Sequence, residues 1–339
     1  MHVRIHGGIG LAELTLSARD LAQVRFAVSP MWQVLSSFRL LRRDDADAAV
    51  HGPWLAQVRP RLAAAGLDRG WLAELIPAAG FWPYFLNPAP DGPAPALSAE
   101  LAAIRSTPAE RVRRDLEHLR YHEGSLGPRL RALHADPAAR LARVTQEIQV
   151  YFDQALAPYW ARIRAVLDTD VLHRARQVAE HGAGHAFNDL HASLRWDGDA
   201  LHLLRRTRPM PRDGSGPGLV LAPTAFGGPR LASRVAPPDP PQLAYPARGA
   251  GTLWERGERT DTGALAGVLG RSRARLLADL DTPASTTQLA ARTGLSTPAV
   301  SQCLAAMRAA GLVSAHRVGR SVLYARTDAG ESLLSAGHG

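Results

Sequence analysis

The chain has 339 residues, 46% apolar and 21% charged, with a formal net charge of +9, the balance of a globular protein long enough for two or three domains with separate cores. All 40 basic residues are arginine; in a chain also rich in Ala, Gly and Pro, that makes global charge a weak guide to partners and local charge the stronger one. The single cysteine, Cys303, excludes an intrachain disulfide and any multi-thiolate metal site within one chain, and no apolar run reaches membrane-spanning length.

The first twenty residues lack a charged segment followed by an apolar core, so no secretory signal is read there and a cytoplasmic protein is expected. Residues 3 to 16 alternate loosely and fit a strand. Ser17 and Asp20 stand three apart before LAQVRFAVSP, a capping box with Asp in place of Glu that marks a helix start. Met31 to Arg43 reads as a helix, with Trp32, Leu35, Phe38 and Leu41 recurring at steps of three. Pro53 to Ala65 is another. The proline density of Pro83 to Pro95 indicates a loop. Ser98 and Pro108 each open a helix. Pro137 to Glu180 is helical almost throughout, with Pro158 expected to kink or split it, because proline lacks the backbone donor and clashes with the preceding turn.

After Gly184 the pattern changes. Ala192 to Arg206 is a hairpin candidate with Asp197-Gly198 at its turn. Arg208 to Gly218 is a Pro/Gly loop, Gly218 to Ala222 an apolar strand, and 223 to 251 loop or short edge strands. Thr252 to Glu258 fits a last strand. No internal repeat is visible. The expected fold class is mainly α with small β parts. A domain over 1–260, helical to about 184 and β-rich over 185–260, is followed by a C-terminal winged helix-turn-helix over 261–339.

That last domain carries the clearest signal. Thr286 to Arg326 holds five arginines and no acidic residue. Gly263 to Leu269 and Arg271 to Leu280 are scaffold helices. Thr286 or Thr287 caps the next helix, with Leu289, Ala290 and Thr293 facing inward. Gly294 takes the turn, where a positive φ suits glycine. Ser296 caps the second helix with Pro298 in its first turn. Val300, Leu304 and Met307 face the core, so Thr297, Ser301, Gln302 and Arg308 point outward. Gly311 ends the helix. Leu312 to Arg317 and Ser321 to Arg326 are wing strands around the tip Val318-Gly319-Arg320. A helix so placed fits the DNA major groove. Gln302 suits a bidentate contact to adenine, Thr287, Ser296, Thr297, Pro298 and Ser301 lie at helix starts or on the outward face, and Arg317 and Arg320 suit phosphates.

Leu289 to Ala325 resembles the ArsR family of bacterial repressors. The resemblance rests on Val300-Ser301, Ala310-Gly311-Leu312-Val313, Gly319-Arg320 and Tyr324, and covers about the last 75 residues. It implies a homodimeric regulator that holds double-stranded DNA as a repressor until a signal releases it. Cys303 stands where the family often has His, and Leu289 to Thr293 lacks the Cys-x-Cys metal site of many members. The stretch from Asp20 to about Tyr245 resembles the long N-terminal region of a subgroup from high-GC bacteria, which implies architecture but no ligand.

Other candidates have plainer readings beside them. His181, His185 and His191 have the spacing of a metal group, but Gly182 and Gly184 weaken the helix between them, and solvent-facing histidines at a helix end are favoured. Cys303 reads as a packing residue before a redox switch. Nineteen of the twenty aromatic residues precede Asp261; among them Trp54, Trp71, Trp82 and Tyr84 crowd a short region and line an effector pocket if they do not simply form core. No nucleophile–base pair, P-loop or dinucleotide fingerprint is present, so no catalytic residue, cofactor or metal is assigned. A small-molecule-binding protein or enzyme with an accessory winged helix, and a His-based metal sensor, are the alternatives to a DNA-binding regulator.

Overall fold

The computed structural model describes residues 11–44, 46–198, 200–204, 218–228, 231–254, 263–318 and 321–336. The chain opens with β1 (Leu11–Thr15), α1 (Ala18–Ala22), β2 (Val24–Phe26), α2 (Pro30–Leu41), α3 (Ala46–Val50), α4 (Gly52–Ala64) and α5 (Trp71–Leu75). Six helices follow: α6 (Leu97–Arg105), α7 (Ala109–Glu123), α8 (Pro128–Ala135), α9 (Pro137–Ala155), α10 (Trp160–His181) and α11 (Ala183–Leu190). Strands β3 (Leu194–Trp196), β4 (Ala200–Leu204), β5 (Leu219–Thr224), β6 (Ala232–Arg234) and β7 (Gln242–Pro246) come next. The last part contains α12 (Gly263–Leu269), α13 (Arg271–Asp279), α14 (Thr286–Thr293), α15 (Thr297–Ala309), β8 (Val313–Val318), β9 (Ser321–Arg326) and α16 (Asp328–Ala336). The fold is mainly helical with small sheets, and a two-stranded wing follows α15 and precedes α16.

Local chemistry explains several of these boundaries. Ser17 and Asp20 form the reciprocal capping box of α1. Ser29 accepts from Trp32 N at the start of α2, with Pro30 in the first turn. Pro158 divides the long helical stretch: α9 stops at Ala155, a single 3-10 turn covers Ala157–Tyr159, and α10 starts at Trp160. The Asp197-Gly198 hairpin forms as the sequence indicates, with β3 and β4 antiparallel. Helices open where Ser98 and Pro108 indicate: α6 begins at Leu97, with Ala96 as its N-cap, and α7 at Ala109, with Pro108 as its N-cap.

The chain falls into two compact units, neither a single stretch. The first comprises residues 1–48, 75–142 and 166–250. It contains a three-stranded antiparallel sheet, β1-β4-β3, and a four-stranded sheet, β2-β5-β7-β6, in which β2, β5 and β7 run parallel and β6 is antiparallel to β7. Leu14, Leu201, Leu219, Leu221, Leu243 and Tyr245 share one core with Phe187 and Leu190 of α11. Two expectations change here. Strand β7 is interior, not an edge: its Leu243, Ala244 and Tyr245 are almost fully buried between β5 and β6. Its only proline, Pro246, is its last residue, where a missing donor breaks no interior rung. Thr252 does not begin a strand either. Ala250–Thr252 forms a 3-10 turn, after Gly249 at φ 79°, and Leu253 and Trp254 are buried without a ladder; residues 255–258 lie outside the described set.

Several polar groups in the first unit are buried with partners. Glu100 accepts from Ser29 Oγ (2.5 Å) and Met31 N (2.9 Å). Burial raises its pKa from 4.5 to about 7, against the opposing effect of those bonds. Trp32 Nε1 donates to Gln242 Oε1 (2.9 Å). Gln33 bridges Pro223 O and Ala225 N at the end of β5. Arg111 and Arg234 both pair with Asp239.

The second unit comprises residues 49–74, 143–165 and 251–339. Besides the winged helix it holds an aromatic cluster. Trp54 is fully buried, stacks on Trp254 (centroids 6.3 Å, interplanar 22°) and donates from Nε1 to Ala155 O. Tyr159 meets Trp254 edge-on, and Trp254 Nε1 donates to His51 Nδ1 at 2.7 Å. Burial lowers the His51 pKa to about 4, so the ring stays neutral and keeps this acceptor. Glu147 of α9 accepts from Trp71 N and Leu72 N at the start of α5. The strands β8 and β9 rest on the turn Ala157–Tyr159.

Candidate nucleic-acid interface

The winged helix is built on one apolar seam. Leu276 and Leu277 of α13, Leu289 of α14, and Val300, Leu304 and Met307 of α15 are at most 1% exposed. They pack with Leu265, Ala284, Val313 and Leu334 in a single cluster. The 3.6-residue period of α15 then turns the residues between them outward. Thr297, Pro298, Ser301, Gln302 and Arg308 are all exposed, as is the cap residue Ser296. Cys303 is half-buried against the same core.

The turn between α14 and α15 follows from its residues. Gly294 sits at φ 71°, ψ 8°, and its N–H closes on Ala290 O. A residue with a Cβ is strained in that left-handed region. Thr293 Oγ1 donates to Leu289 O and accepts from Leu295 N, locking the corner. Ser296 Oγ accepts from Ala299 N at 3.4 Å, with Pro298 in the first turn. Gly311 closes the helix at φ 71°.

The cap of α14 differs from expectation. Neither Thr286 nor Thr287 is the N-cap; Ser285 is. Its Oγ accepts from Gln288 N (3.2 Å), while Gln288 Oε1 accepts from Ser285 N (2.8 Å). Of the three hydroxyl residues only Ser285 has Gln three positions on, so only it closes a reciprocal capping box. Thr287 stays exposed in the first turn of α14.

The arginines of this region divide into two groups. Arg326 donates to Leu277 O and Ala278 O at the end of α13 and pairs with Glu331 of α16. It therefore neutralises the exposed carbonyls of a helix C-terminus and is occupied within the fold. Arg292 reaches Asp279 O and Thr282 Oγ1 at 3.4 and 3.5 Å. Arg308 and Arg317 are exposed and make no hydrogen bond or ion pair among the described residues. Arg320 and Gly319, at the wing tip, lie outside the described residues. His316 of β8 is half-buried, with Nε2 at 2.7 Å from Ser314 Oγ. Burial lowers its pKa, opposed by the Asp153 carboxylate, so it adds no charge to the face at neutral pH.

α16 was not anticipated from the sequence. Leu334 and Leu333 dock on the seam, and the Asp328 and Glu331 carboxylates in its first turn suit a helix N-terminus. The signal was available in Thr327, whose Oγ1 accepts from Gly330 N ahead of the apolar pair.

The remaining candidates are dispersed. Trp54 and Trp71 belong to the second unit, Trp82 and Tyr84 to the first. Trp54 is core; Trp82 lines a cavity with Trp32 and Arg39. Tyr84 meets Phe81 edge-on (5.0 Å), and its carbonyl accepts from Arg234 Nε. The rings of His181 and His185 approach to 4.8 Å, while His191 Nδ1 is engaged with Ser193. Among the described residues no group of three or more His, Cys, Asp or Glu side chains converges on a metal-sized space, and no helix is long and apolar enough to cross a membrane.

A family model described as "Bacterial regulatory protein, arsR family" matches residues 275–315. The matched segment runs from the middle of α13 through α14 and α15 into β8, so the seam and its outward residues all fall inside it. No curated protein and no solved structure matches the chain.

Proposed function

We propose that the protein is a homodimeric transcriptional repressor that reads double-stranded DNA with α15 and is controlled through its N-terminal region. Residues 275–315 are an arsR-type helix-turn-helix, which supports a DNA-binding regulator. The observation that carries the finer reading is the row Thr297, Ser301 and Gln302, exposed on one face of α15 directly behind the buried Val300–Leu304–Met307 seam.

In this reading residues 261–339 form the DNA-binding domain and residues 1–260 supply dimerisation and effector sensing, in the cytoplasm. The N–H of Thr297 at the start of α15, with the hydroxyls of Ser296 and Thr297, holds a phosphate. Ser301 and Gln302 face base edges, Gln302 pairing with adenine N6 and N7. Arg308, Arg317 and Arg320 neutralise backbone phosphates, and Thr287 and Pro298 approach the backbone from the helix starts. Two copies of α15 match half-sites about one helical turn of DNA apart. An effector that favours another separation of the two helices releases the operator by the difference in its affinity for the two states.

The test is a mobility-shift assay with fragments of the source genome and the full-length protein. The reading predicts a small set of fragments retarded in the presence of excess nonspecific DNA. Retardation of none, or of all fragments equally, contradicts it.

A further inference from the structure

A partly enclosed cavity of about 200 Å³ lies within the first unit, against the sheet β2-β5-β7-β6. Trp32, Trp82 and Phe226 provide aromatic walls, Arg39 and Arg43 provide positive charge, and no acidic residue lines it among the described residues. Arg39 is held in place: it donates from Nε to Pro77 O and from a terminal nitrogen to Gly80 O, both at 3.0 Å. Its guanidinium lies 3.9 Å from the centre of the Trp82 ring, a cation–π contact that fixes the charge against an aromatic wall. The two hydroxyls in the lining are committed: Ser36 Oγ donates to Trp32 O (2.6 Å) and Thr224 Oγ1 to Tyr245 O (3.2 Å). Charge, not hydroxyl donation, therefore sets what this cavity prefers.

Position and size narrow the ligand further. Thr224 is the last residue of β5, and the turn after it, with Gly228 at φ 58°, carries Phe226 and Gly227 into the lining. The cavity thus opens beyond the carboxyl end of a parallel strand, where open sheets commonly bind ligands. At about 200 Å³ it lies below the ~300–1,000 Å³ of pockets for drug-sized ligands, which favours a ligand of one aromatic ring with a short acidic arm. The positive charge of the two guanidinium groups suits a carboxylate, and the indole and phenyl walls suit a ring.

The geometry points to a binding site for a small one-ring aromatic carboxylate, its acid group toward Arg39 and Arg43 and its ring against Trp82 and Phe226. Binding at this site is independent of the DNA reading; only its role as the effector rests on that reading.

Calorimetric titration of the full-length protein without DNA tests it, using benzoate, phenylacetate and 3-phenylpropanoate, each beside its neutral amide. Saturable one-to-one binding is expected for at least one acid at millimolar concentration or below, and binding of its amide about tenfold weaker or more. Arg43→Gln is expected to lower the preference for the acid over the amide several-fold, Arg39 keeping its charge, and an unchanged preference in the folded variant overturns the proposal. Ala79→Trp, at an exposed position in the lining, is expected to remove binding of both by filling the mouth, and serves as the second variant if Arg43→Gln does not fold. Equal affinity for acid and amide, no saturable binding of any of the three acids, or binding unaltered in Ala79→Trp overturns the proposal. Acid binding by a protein that retards no DNA leaves the site standing and removes only the regulator reading.

Discussion

Gln302→Ala is the sharpest perturbation of the proposed interface. The side chain is exposed on α15, outside the seam, and has no hydrogen-bond partner among the described residues. Its loss opens no cavity and breaks no internal bond, so folding stability should change by less than about 0.5 kcal/mol, with the better helix propensity of alanine acting in the stabilising direction. In the complex the same side chain is assigned a bidentate base contact worth about 1–3 kcal/mol. At about 1.4 kcal/mol per factor of ten, one half-site then loses roughly 5- to 150-fold in affinity. In a dimer both half-sites carry the substitution, and the free-energy losses add if the two sites are independent. Fluorescence anisotropy at fixed salt measures this, with the preferred operator and with the three sequences that carry the other base pairs at that position in both half-sites. The variant should lose affinity for the preferred operator and bind all four sequences almost equally. A uniform loss on every sequence would make Gln302 a backbone contact, and a matching fall in melting temperature would make it structural.

Three further outcomes follow from the same geometry. Arg317→Ala should lower the slope of log affinity against log salt by about 0.9 for each phosphate lost; an unchanged slope removes this strand from the interface. Leu304→Ala, in the fully buried seam, should cost about 2–5 kcal/mol by denaturant unfolding and abolish DNA binding with it; a loss under about 1 kcal/mol would mean the seam is not packed as described. Glu100 has a folded-state pKa raised from 4.5 to about 7, so its favourable proton is held below the unfolded value and lost as pH rises through the folded one. Wild type should therefore lose roughly 3 kcal/mol of stability relative to Glu100→Gln between pH 4.5 and 7; a pH-independent difference between the two would contradict the buried carboxyl.

How far the sequence could be read depended on the range of the interactions. The winged helix was legible because its determinants are local. Gly294 at the corner, Ser296 and Pro298 at the helix start and the Val300–Leu304–Met307 spacing each act within a few residues. The missed cap at Ser285 was a choice among three adjacent hydroxyl residues, decided by the reach of Gln288. Strand β2 was hidden for a different reason. It has three residues, and its partner β5 lies almost two hundred positions later, Val24 opposite Leu219, so no local period reveals it. The aromatic residues teach the same lesson in reverse. Trp54 and Trp82 are near in sequence, yet Trp54 stacks on Trp254 while Trp82 meets Trp32 edge-on in the other unit. The cavity with its two arginines depends on α2, the segment 78–82 and the end of β5 together, and no single window of sequence contains it.

Selection of binding sites from a random duplex pool, run in parallel with the full-length protein and with a Thr297→Ala/Ser301→Ala/Gln302→Ala variant, decides whether α15 reads sequence. The native chain should enrich a two-fold-related motif with half-sites about one turn apart, and the variant should keep salt-dependent binding but enrich no motif. The same motif emerging from both proteins, or none from either, would contradict the assignment of α15 as the reading helix.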